Sequence, residues 1–247
     1  MGHGEFLWSD LATFDVASTL EFYHDVIGWT YRRESVAGGP DYYYAAGAGA
    51  AVAGIYEMPN VFRDGGMESF WMSYIGIDDI EAGIARAVEL GGSVIMGPAR
   101  FGESAAIAML RDPQGAIFSL YHGDNLQPQG REPAEGAQFW NDLICPNAEQ
   151  AAAFYGGLFG WQFGPLWPDK RCRIRNLADG FIASLRQQPG PASWRVSFAV
   201  SDPDAAVTSV NGATTGEGDI GYTCRDGNGA EFHLTGLRLG RQFHPRP

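Results

Sequence analysis

The strongest constraint on the fold of this chain is a long phrase that is written twice. WSDLATFDVASTLEFYHDVIGW at 8–29 and WNDLICPNAEQAAAFYGGLFGW at 140–161 align without a gap. Both copies have W-x-D-L at the start, Phe-Tyr in the middle and Gly-Trp at the end. Because matches at fixed spacing over such a distance indicate a repeated structural unit, the sequence predicts a tandem duplication.

A second phrase is repeated near the end of each copy. LRDPQGAIFSLYH at 110–122 is echoed by CRDGNGAEFHL at 224–234. Asp112 and Gly115 suit the ends of a type I turn, and Pro113 suits its second position. The duplication predicts two domains, 1–123 and 137–247. The stretch 124–136 contains Pro, Gly and charged residues, which are typical of an exposed linker.

Each predicted domain is itself divided. In the first, a strand-like segment leads to a helix over 16–27, which Asp15 caps and Gly28 ends, and further strand-like segments follow. The same order recurs with a helix over 80–90 that Asp79 caps. The first domain therefore contains two units, each a strand, a helix and about three strands.

The second domain repeats this order. Asn147 caps a helix, with Gln150 three residues further on in a capping-box arrangement. Asp202 opens a shorter helix, with Pro203 at the first helical position. The sequence thus predicts an α+β fold made of four βαβββ units.

Composition limits the partners and the compartment. The formal net charge is −12, from 29 Asp and Glu against 17 Lys and Arg, which argues against nucleic acid or an anionic membrane as a partner. No apolar run approaches the roughly 20 residues that span a bilayer, and the N-terminus lacks a secretory signal. We therefore expect a cytoplasmic protein. The three cysteines are odd in number and far apart, so reduced thiols are expected rather than disulfides or a zinc site.

These motifs also carry a family resemblance. With FYHDVIGW and FYGGLFGW closing the helices, and DPQGAIFSL and DGNGAEFHL closing the domains, the chain resembles the vicinal oxygen chelate (VOC) superfamily, also called the glyoxalase, bleomycin-resistance and extradiol-dioxygenase fold. The paired W-x-D-L openings are similar to those of tandem, two-domain actinobacterial glyoxalase-like proteins. The resemblance implies two tandem domains, in each of which two βαβββ modules form a cup-shaped mixed sheet.

The resemblance further implies four inward positions per cup that hold a divalent metal, usually on His, Glu or Gln. The opening strands place there Trp8, Met72, Trp140 and Arg195. Indole and guanidinium groups only donate, and methionine sulfur is a poor match for hard metals. The closing strands offer Ser119, His233, Glu57 or its neighbour Tyr56, and Leu185 or Arg186. Since a divalent site commonly needs three protein ligands, we expect no metal and no other cofactor.

His233, at the closing position of the fourth unit, suits proton transfer. Strand alternation puts Glu231 and His233 on one face and Phe232 and Leu234 on the other. If the first face lines the cup, the carboxylate would orient the imidazole for acid/base catalysis. The alternative is a hydrogen-bonded packing histidine. Glu57 is the third candidate catalytic residue.

Aromatic residues on the strands indicate a binding surface for planar molecules, because their rings are flat and tyrosine hydroxyls can orient a ligand. About half of the strand aromatics should face inward, while others would pack in the cores. Besides Tyr42, Tyr44, Trp194 and Tyr222, the predicted substrate-binding residues are Trp8, Tyr56, Trp71, Ser119, Tyr121, Trp140 and Arg195.

The sequence therefore predicts a glyoxalase-like protein that binds a small aromatic or hydrophobic metabolite, either sequestering it or acting on it by metal-free acid/base chemistry. As an enzyme it would be a metal-independent lyase, isomerase or hydroxylase-like protein of secondary metabolism. One alternative is a divalent-metal-dependent lyase or dioxygenase that uses Glu57 and His233, and another is a regulatory binding module. The expected partner is a small molecule, and the chain is a monomer or homodimer.

Overall fold

The structure is a computed structural model that describes residues 2–35, 39–47, 49–64, 67–101, 104–130, 132–176, 180–208, 214–218 and 221–240. The elements of the first half are β1 (Phe6–Thr13), α1 (Val16–Ile27), β2 (Thr30–Glu34), β3 (Tyr42–Gly47), β4 (Ala50–Glu57), α2 (Asn60–Asp64), β5 (Phe70–Gly76), α3 (Ile80–Glu89), β6 (Ser93–Phe101), β7 (Ala105–Arg111) and β8 (Ile117–His122). The order of one strand, one helix and three strands occurs twice in it, as the sequence predicts.

The second half repeats the order. Its elements are β9 (Gln138–Cys145), α4 (Ala148–Phe159), β10 (Gln162–Phe163), β11 (Arg171–Asn176), β12 (Gly180–Gln187), β13 (Ser193–Val200), α5 (Pro203–Thr208), β14 (Thr214–Gly218), β15 (Gly221–Arg225), β16 (Glu231–Gly236) and α6 (Leu237–Gly240). None of the helices in the described part of the chain is long and apolar enough to cross a membrane.

Each half forms one mixed sheet of eight strands. The strand orders are β2-β3-β4-β1-β5-β8-β7-β6 and β10-β11-β12-β9-β13-β16-β15-β14. The opening strand of every βαβββ unit is parallel to its closing strand, as β1 is to β4 and β13 is to β16. The predicted α+β fold, with two βαβββ units in each half of the chain, is confirmed.

Capping residues fix the helix boundaries where the sequence places them. The Asp15 carboxylate accepts a hydrogen bond from the Ser18 amide, and Gly28 ends α1 with φ of 80° in the left-handed region that favours glycine. Asn147 accepts from the Gln150 amide at the start of α4, which Gly160 ends in the same conformation. Helix α3 ends one residue earlier than the predicted range 80–90.

Contact density divides the chain into two compact units that are not its sequential halves. Unit one comprises Met1–Trp8, Met72–Gln129 and Trp140–Arg195, and unit two comprises Ser9–Trp71, Gly130–Phe139 and Val196–Pro247. Each unit therefore combines one βαβββ module of the first half with one of the second. The boundaries 1–123, 124–136 and 137–247 remain a prediction about the duplicated sequence.

Each unit has its own hydrophobic core, which both halves of the chain supply. In unit one, Phe118 and Leu120 of β8 belong to the same core as Phe154 and Tyr155 of α4. In unit two, Tyr23 of α1 shares a core with Phe198, Phe232 and Leu234 of β13 and β16. Burial of these side chains holds two modules together within a unit, since apolar area removed from water is the main favourable term in folding.

Candidate functional site

The repeated Phe-Tyr and Asp-Gly phrases meet inside each unit. In unit two, the Tyr23 hydroxyl donates to Asp226 at 3.4 Å and accepts from the Trp71 indole at 2.9 Å. Burial is the main cause that raises the pKa of both Tyr23 and Asp226. Trp71 therefore lies in the core of unit two, and the structure does not place it among the other predicted substrate-binding aromatics.

Unit one contains the same chain of hydrogen bonds from a tryptophan indole through a tyrosine hydroxyl to an aspartate, which we call the relay. The Tyr155 hydroxyl donates to Asp112 at 3.0 Å and accepts from the Trp194 indole at 2.8 Å. The two aspartates also close their turns: Gly115 and Gly229 donate backbone N–H groups to the carbonyls of Asp112 and Asp226 at 3.1 and 3.2 Å. These residues form the scaffold of the fold, and their hydrogen-bonding groups are used within it.

In unit two, the face of β1, β3 and β4 that lies opposite the core carries a group of tyrosines. In the strand register, Tyr42 lies opposite Tyr56, while Gly54 lies opposite Tyr44 on one side and Asp10 on the other. The neighbouring residues Leu11, Ala45, Ala53 and Ile55 belong to the core. We call the surface formed by Asp10, Tyr42, Tyr44 and Tyr56 the tyrosine wall.

Hydrogen bonds and close packing order the tyrosine wall. The Tyr42 hydroxyl donates to the Asp10 carboxylate at 2.5 Å, and the rings of Tyr42 and Tyr44 meet edge to face with centroids 4.7 Å apart. Burial, followed by the nearby Asp10 charge, raises the pKa of Tyr56. A Cβ at Gly54 would lie 1.8 Å from the Tyr42 hydroxyl oxygen, so the bare backbone there makes room for this contact.

Unit one has different chemistry at the equivalent positions. Arg171 lies opposite Arg186, and Arg173 lies opposite Ser184, which in turn lies opposite Asp142 of β9. The neighbouring residues Cys172, Ile174, Ala183 and Leu185 belong to the core of unit one. We call the surface formed by Asp142, Arg171, Arg173, Ser184 and Arg186 the arginine wall. Of the sequence alternatives, Leu185 faces the core and Arg186 faces the wall.

A serine replaces the tyrosine hydroxyl at the foot of the arginine wall. The Ser184 hydroxyl donates to Asp142 at 2.6 Å and accepts from the Trp140 indole at 2.7 Å. Trp140 is fully buried, and its indole N–H is already used in this hydrogen bond. A substrate could therefore contact Trp140 only after passing the Ser184 hydroxyl. Trp8, its counterpart on β1, is half-buried.

The remaining predicted substrate contacts lie on β8 and β13 of unit one. Ser119 and Tyr121 lie on the face opposite Phe118 and Leu120, and both are buried. The Ser119 hydroxyl donates to the Met72 sulfur at 2.9 Å. Burial raises the pKa of Tyr121. Arg195 is half-buried next to the core residue Trp194 and lies on the opposite strand face.

The candidate catalytic residues lie in unit two but are not all on the same surface. His233 is buried, with 7% of its surface exposed, and lies opposite Ser197 on β13 and Thr223 on β15. Glu231 is on the same face, and its carboxylate is 3.9 Å from the Arg225 guanidinium. Glu57 is exposed at the end of β4, on the face opposite Tyr56.

The donor set at the family's ligand positions does not suit a divalent metal. The opening-strand positions hold two indoles, a guanidinium, and a thioether that already accepts a hydrogen bond from Ser119. Of the closing-strand candidates, His233 and Glu57 are the ones with side chains that commonly bind metals. Within the described residues, no group of three or more His, Cys, Asp or Glu side chains could hold a metal ion.

A groove of about 560 Å³ lies in unit two, beside the start of α1. The long connection between β4 and β5 forms one side of it: Arg63 donates to the Phe14 carbonyl at 2.9 Å, and Glu68 pairs with Arg225 at 2.8 Å. The buried Asp226 also lines it. Charged side chains of both signs line it, so the groove favours no particular ligand charge.

The sequence prediction missed the arginine wall as a surface, although its signal is present. R-C-R-I-R at 171–175 alternates basic and apolar residues, which is typical of a strand with one buried face. Arg195 is predicted as a substrate-binding residue, whereas Arg186 is predicted only as an alternative to Leu185 at a closing-strand position. Asp10 and Asp142, which are the shared Asp of W-x-D-L, anchor the hydrogen bonds of both walls.

Comparisons with known proteins agree with this architecture. The family profile described as "Glyoxalase/Bleomycin resistance protein/Dioxygenase superfamily" matches residues 5–120. The glyoxylase-like protein CFP32 of Mycobacterium tuberculosis is 30% identical over 212 residues, which cover 83% of this chain and 81% of the relative. The anthracycline biosynthesis protein DnrV of Streptomyces peucetius is 27% identical over 263 residues, which cover 94% of this chain and 93% of DnrV.

Solved structures show a similar fold. An extradiol ring-cleaving dioxygenase from B. fuscum superposes with a TM-score of 0.65 at 12% identity, covering 94% of this chain and 71% of the dioxygenase. A Mn(II)-bound glyoxalase from Novosphingobium aromaticivorans gives 0.60 at 14% identity, covering 96% and 83%. At such identities the likeness concerns the fold and carries no ligand from one protein to the other.

Proposed function

The chain belongs to the glyoxalase/bleomycin resistance protein/dioxygenase superfamily, and from this premise we propose that it binds a small aromatic or hydrophobic metabolite without using a metal. The tyrosine wall is the binding surface in this proposal. Its ligand is a planar ring system that lies against the phenol rings and is oriented by their hydroxyl groups.

The observation that carries the proposal is that three tyrosines and one aspartate lie together on one face of the sheet. Tyr42, Tyr44 and Tyr56 are all half-buried, so their rings are neither sealed in the core nor fully solvated. Aromatic faces stack on planar ligands, and a few fixed polar groups then select orientation. The Tyr42–Asp10 hydrogen bond holds one ring in place before a ligand arrives.

The pKa shift of Tyr56 supports a protonated phenol on the binding surface. Since its pKa is raised by burial and by Asp10, this phenol keeps its proton at neutral pH. A protonated phenol can donate a hydrogen bond to a carbonyl or hydroxyl oxygen of the ligand. The tyrosine wall therefore suits an uncharged, oxygen-bearing aromatic compound.

The name of one relative suggests which ring system to try. DnrV is named as an anthracycline biosynthesis protein, and anthracyclines are built on a planar polycyclic aromatic framework. A hydroxyanthraquinone such as quinizarin reproduces such a framework without charge. It serves as a probe of ligand class, and the natural metabolite is left open.

The test is a titration of the full-length chain, dialysed against EDTA, with quinizarin. We expect tryptophan and tyrosine fluorescence to be quenched with a micromolar Kd, which corresponds to about 8 kcal/mol of binding free energy. Tyr44→Leu should weaken binding at least about fivefold, since it removes a stacking surface worth about 1 kcal/mol or more. Tyr43→Leu is the matched control, because Tyr43 lies on the opposite face of the same strand and packs against the core.

Two results would contradict the proposal. One is equal binding by wild type and Tyr44→Leu, which would place the ligand elsewhere. The other is binding that is absent after EDTA treatment and restored by Mn²⁺ or Fe²⁺, which would favour the metal-dependent lyase or dioxygenase. Unchanged binding on metal addition supports the metal-free proposal.

Acid/base conversion of the bound compound is the second candidate function. It is favoured by the placement of the buried His233 and of Glu231 on the same strand face, because an imidazole and a carboxylate on one face could exchange protons with the same ligand. We expect His233→Ala to abolish any conversion that mass spectrometry detects in a metabolite extract, while quinizarin binding is retained. Retention of every compound unchanged by the wild type would favour sequestration.

A further inference from the structure

The groove in unit two is bounded by three segments that lie far apart in the sequence. The start of α1 at 14–15, part of the connection between β4 and β5, and the turn at 225–229 each line one side of it. Its volume of about 560 Å³ falls within the range of about 300–1,000 Å³ that is typical of small-molecule sites. The described residues that line it include none of the tyrosine wall. The groove is therefore a separate candidate site.

Hydrogen bonds hold the three sides of the groove together. The Ser69 amide, at the end of the connection, donates to the Asn228 carbonyl of the turn at 3.2 Å. The side-chain amide of Asn228 donates in turn to the hydroxyl groups of Ser18 and Thr19 on α1, at 3.0 and 3.1 Å. A site whose sides are fixed in advance loses little conformational freedom when a ligand binds.

Two features of this groove are specific to unit two. The connection between β4 and β5 has twelve residues, 58–69, whereas the equivalent connection between β12 and β13 has five, 188–192. At the second position of the turn, Gly227 takes the place that Pro113 has in the other copy. A Cβ at Gly227 would meet no atom within 4 Å. The longer connection thus adds a side to the groove, and the bare turn leaves space beside it.

The lining of the groove is partly apolar and mostly polar. Phe14 and Met67 are half-buried and supply the apolar part. The other side chains that line it are polar or charged: Asp15, Arg63, Glu68, Arg225, Asp226 and Asn228. A ligand that matches this lining has some apolar surface together with groups that both donate and accept hydrogen bonds.

The polar lining favours hydroxyl groups over a charged group. Carboxylates such as those of Asp15 and Glu68 only accept hydrogen bonds, and the Arg63 and Arg225 guanidinium groups only donate them. The Glu68 and Arg225 side chains are already 2.8 Å apart, so a charged ligand group competes with an existing pair. A hydroxyl group donates and accepts, and it bonds to either partner while the pair stays intact. Several hydroxyl groups on a neutral ligand therefore suit this groove.

We propose that the groove of unit two binds a sugar ring. A pyranose matches both parts of the lining, because its C–H groups form an apolar face and its hydroxyl groups project from the edge of the ring. The C–H face contacts Phe14 and Met67, and the hydroxyl groups bond to the polar side chains. This inference goes beyond the proposed function, since it concerns another site and a ligand that is neither aromatic nor hydrophobic.

The experiment is an NMR titration of the full-length, ¹⁵N-labelled chain with methyl β-D-glucopyranoside and methyl β-D-galactopyranoside. Two sugars are used because they differ in the orientation of one hydroxyl group. We expect at least one of them to shift the amide signals of Gly227 and Gly229 saturably, with a Kd of about 1 mM, which is ordinary for a ligand of this size. Tetrahydropyran-2-methanol has a similar ring without the ring hydroxyl groups, and it should bind at least about tenfold more weakly.

Variants test the location of the sugar. Gly227→Phe fills the groove, and its backbone lies outside the left-handed region, so the fold tolerates a side chain there. We expect no saturable binding by this variant. Gly130→Phe is the matched control, because a Cβ at Gly130 also meets no atom within 4 Å, and it should bind the sugar as the wild type does. Arg63→Met removes hydrogen-bond donors at an exposed position and should weaken binding about threefold or more.

Four results would overturn the inference: no saturable shift with either sugar, equal affinity for tetrahydropyran-2-methanol, unchanged affinity in Gly227→Phe, or binding of methyl β-D-glucuronide more than about tenfold tighter than that of the glucoside. The last would mean that charge is recognised instead of hydroxyl groups. The shifts in the wild type need no variant, so the test does not depend on the folding of Gly227→Phe.

Quinizarin binding separates this inference from the proposed function. Gly227→Phe should bind quinizarin with unchanged affinity, because Gly227 is not part of the tyrosine wall. Quinizarin binding without sugar binding contradicts the groove inference alone. Sugar binding that is lost in Gly227→Phe supports the groove inference even if quinizarin does not bind.

Discussion

The tyrosine wall and the arginine wall occupy equivalent strand positions in the two sheets, yet they share only the aspartate at their foot. Asp10 accepts from a tyrosine hydroxyl and Asp142 from a serine hydroxyl. Away from the walls, the two units agree closely. Tyr23 and Tyr155 stack on the tryptophan that follows the glycine at the end of their helix, with interplanar angles of 18° and 20°.

This contrast separates what the fold needs from what a ligand needs. A duplicated chain contains its own control, because both copies must fold by the same packing rules. Positions with the same residue in both units, such as the relay from Trp to Tyr to Asp, are explained by packing. Positions that differ in charge, such as Tyr44 and Arg173, are not fixed by that requirement.

The largest expected effect tests whether the cores of unit one and unit two contribute equally to the free energy of unfolding. Trp71→Ala and Trp194→Ala each remove a buried indole that donates to a core tyrosine, so each should lower the free energy of unfolding by about 3–5 kcal/mol. Urea denaturation measures this. Trp167→Ala, at an exposed tryptophan, should change stability by less than about 0.5 kcal/mol. A difference above about 2 kcal/mol between the two core variants would show that the units are not equivalent.

The next effect concerns the backbone that distinguishes the walls. Gly54→Ser places a Cβ 1.8 Å from the Tyr42 hydroxyl oxygen and 2.2 Å from the Asp10 carboxylate, and should destabilise the chain by about 1–3 kcal/mol. In the double variant with Tyr42→Ala, the new serine can take over the hydrogen bond to Asp10, as Ser184 does for Asp142. We therefore expect part of the loss to be recovered.

The measurement for Gly54 is a double-mutant cycle by urea denaturation. Gly130→Ala is its control, since a Cβ there meets no atom within 4 Å. If the losses of unfolding free energy in Gly54→Ser and Tyr42→Ala were strictly additive, the serine would not take over the hydrogen bond from Tyr42 to Asp10. That result would contradict the explanation that the Tyr42 hydroxyl in one wall and the Ser184 hydroxyl in the other have the same role.

Removing the relay hydroxyl should have a smaller effect. Tyr23→Phe and Tyr155→Phe each leave a buried indole N–H without its acceptor and a buried aspartate with one donor fewer. The expected loss is about 1–3 kcal/mol, and similar in the two units. Tyr43→Phe, at a half-buried tyrosine of β3, should cost less than about 0.5 kcal/mol. Thermal denaturation is sufficient, and a loss confined to one unit would disprove the equivalence of the relays.

The smallest expected effect is a change in pH dependence. Burial raises the folded-state pKa of Asp112 and Asp226. A group with a raised pKa contributes stability below its ordinary pKa of about 3.9, and that contribution is lost as pH rises through the folded value. Asp226→Asn and Asp112→Asn should therefore reduce the decline in stability between about pH 4 and pH 7, measured as the urea midpoint.

A variant of opposite sign checks this reasoning. The Arg171 hydrogen bond lowers the pKa of Asp169, so that carboxylate stabilises the chain above its ordinary pKa and loses this effect as pH falls. Asp169→Asn should therefore reduce the loss of stability as pH falls below about 4, and should leave the decline between about pH 4 and pH 7 almost unchanged. A profile of Asp226→Asn that changes only below about pH 4, like that of Asp169→Asn, would show that burial does not control the relay carboxylates.

Sequence reasoning predicts the local part of this structure well, because caps and turns act over a few residues. Asp15, Gly28 and Asn147 each define a helix boundary by hydrogen bonds or dihedral angles within one turn. The fold class follows from the order of such elements together with the repeat. Neither inference requires knowledge of which distant segments meet.

Placement of Trp71 failed for a physical reason. Strand alternation separates the two faces of β5, but almost every residue of this strand is buried, so polarity does not show which face is the core. The same limit left Tyr56 and Glu57 as alternatives until the pairing of Tyr42 with Tyr56 resolved them.

The hydrogen bonds of the relays could not be predicted from the sequence, for a different reason. The hydrogen bond from Tyr23 to Asp226 joins residues 203 positions apart, and a single sequence contains no signal of such a pairing. Which copy of one repeated phrase meets which copy of the other is set by the packing of the modules.

That packing has a consequence for any attempt to divide the protein. Each core draws on chain segments from both sides of 124–136, so a cut in this connection would leave two fragments of which neither contains a complete core. Expressed separately, they should be insoluble or unfolded; expressed together, they should reassemble. The chain is in this sense a natural split protein, whose recovered ligand binding would report the association of anything fused to the two pieces.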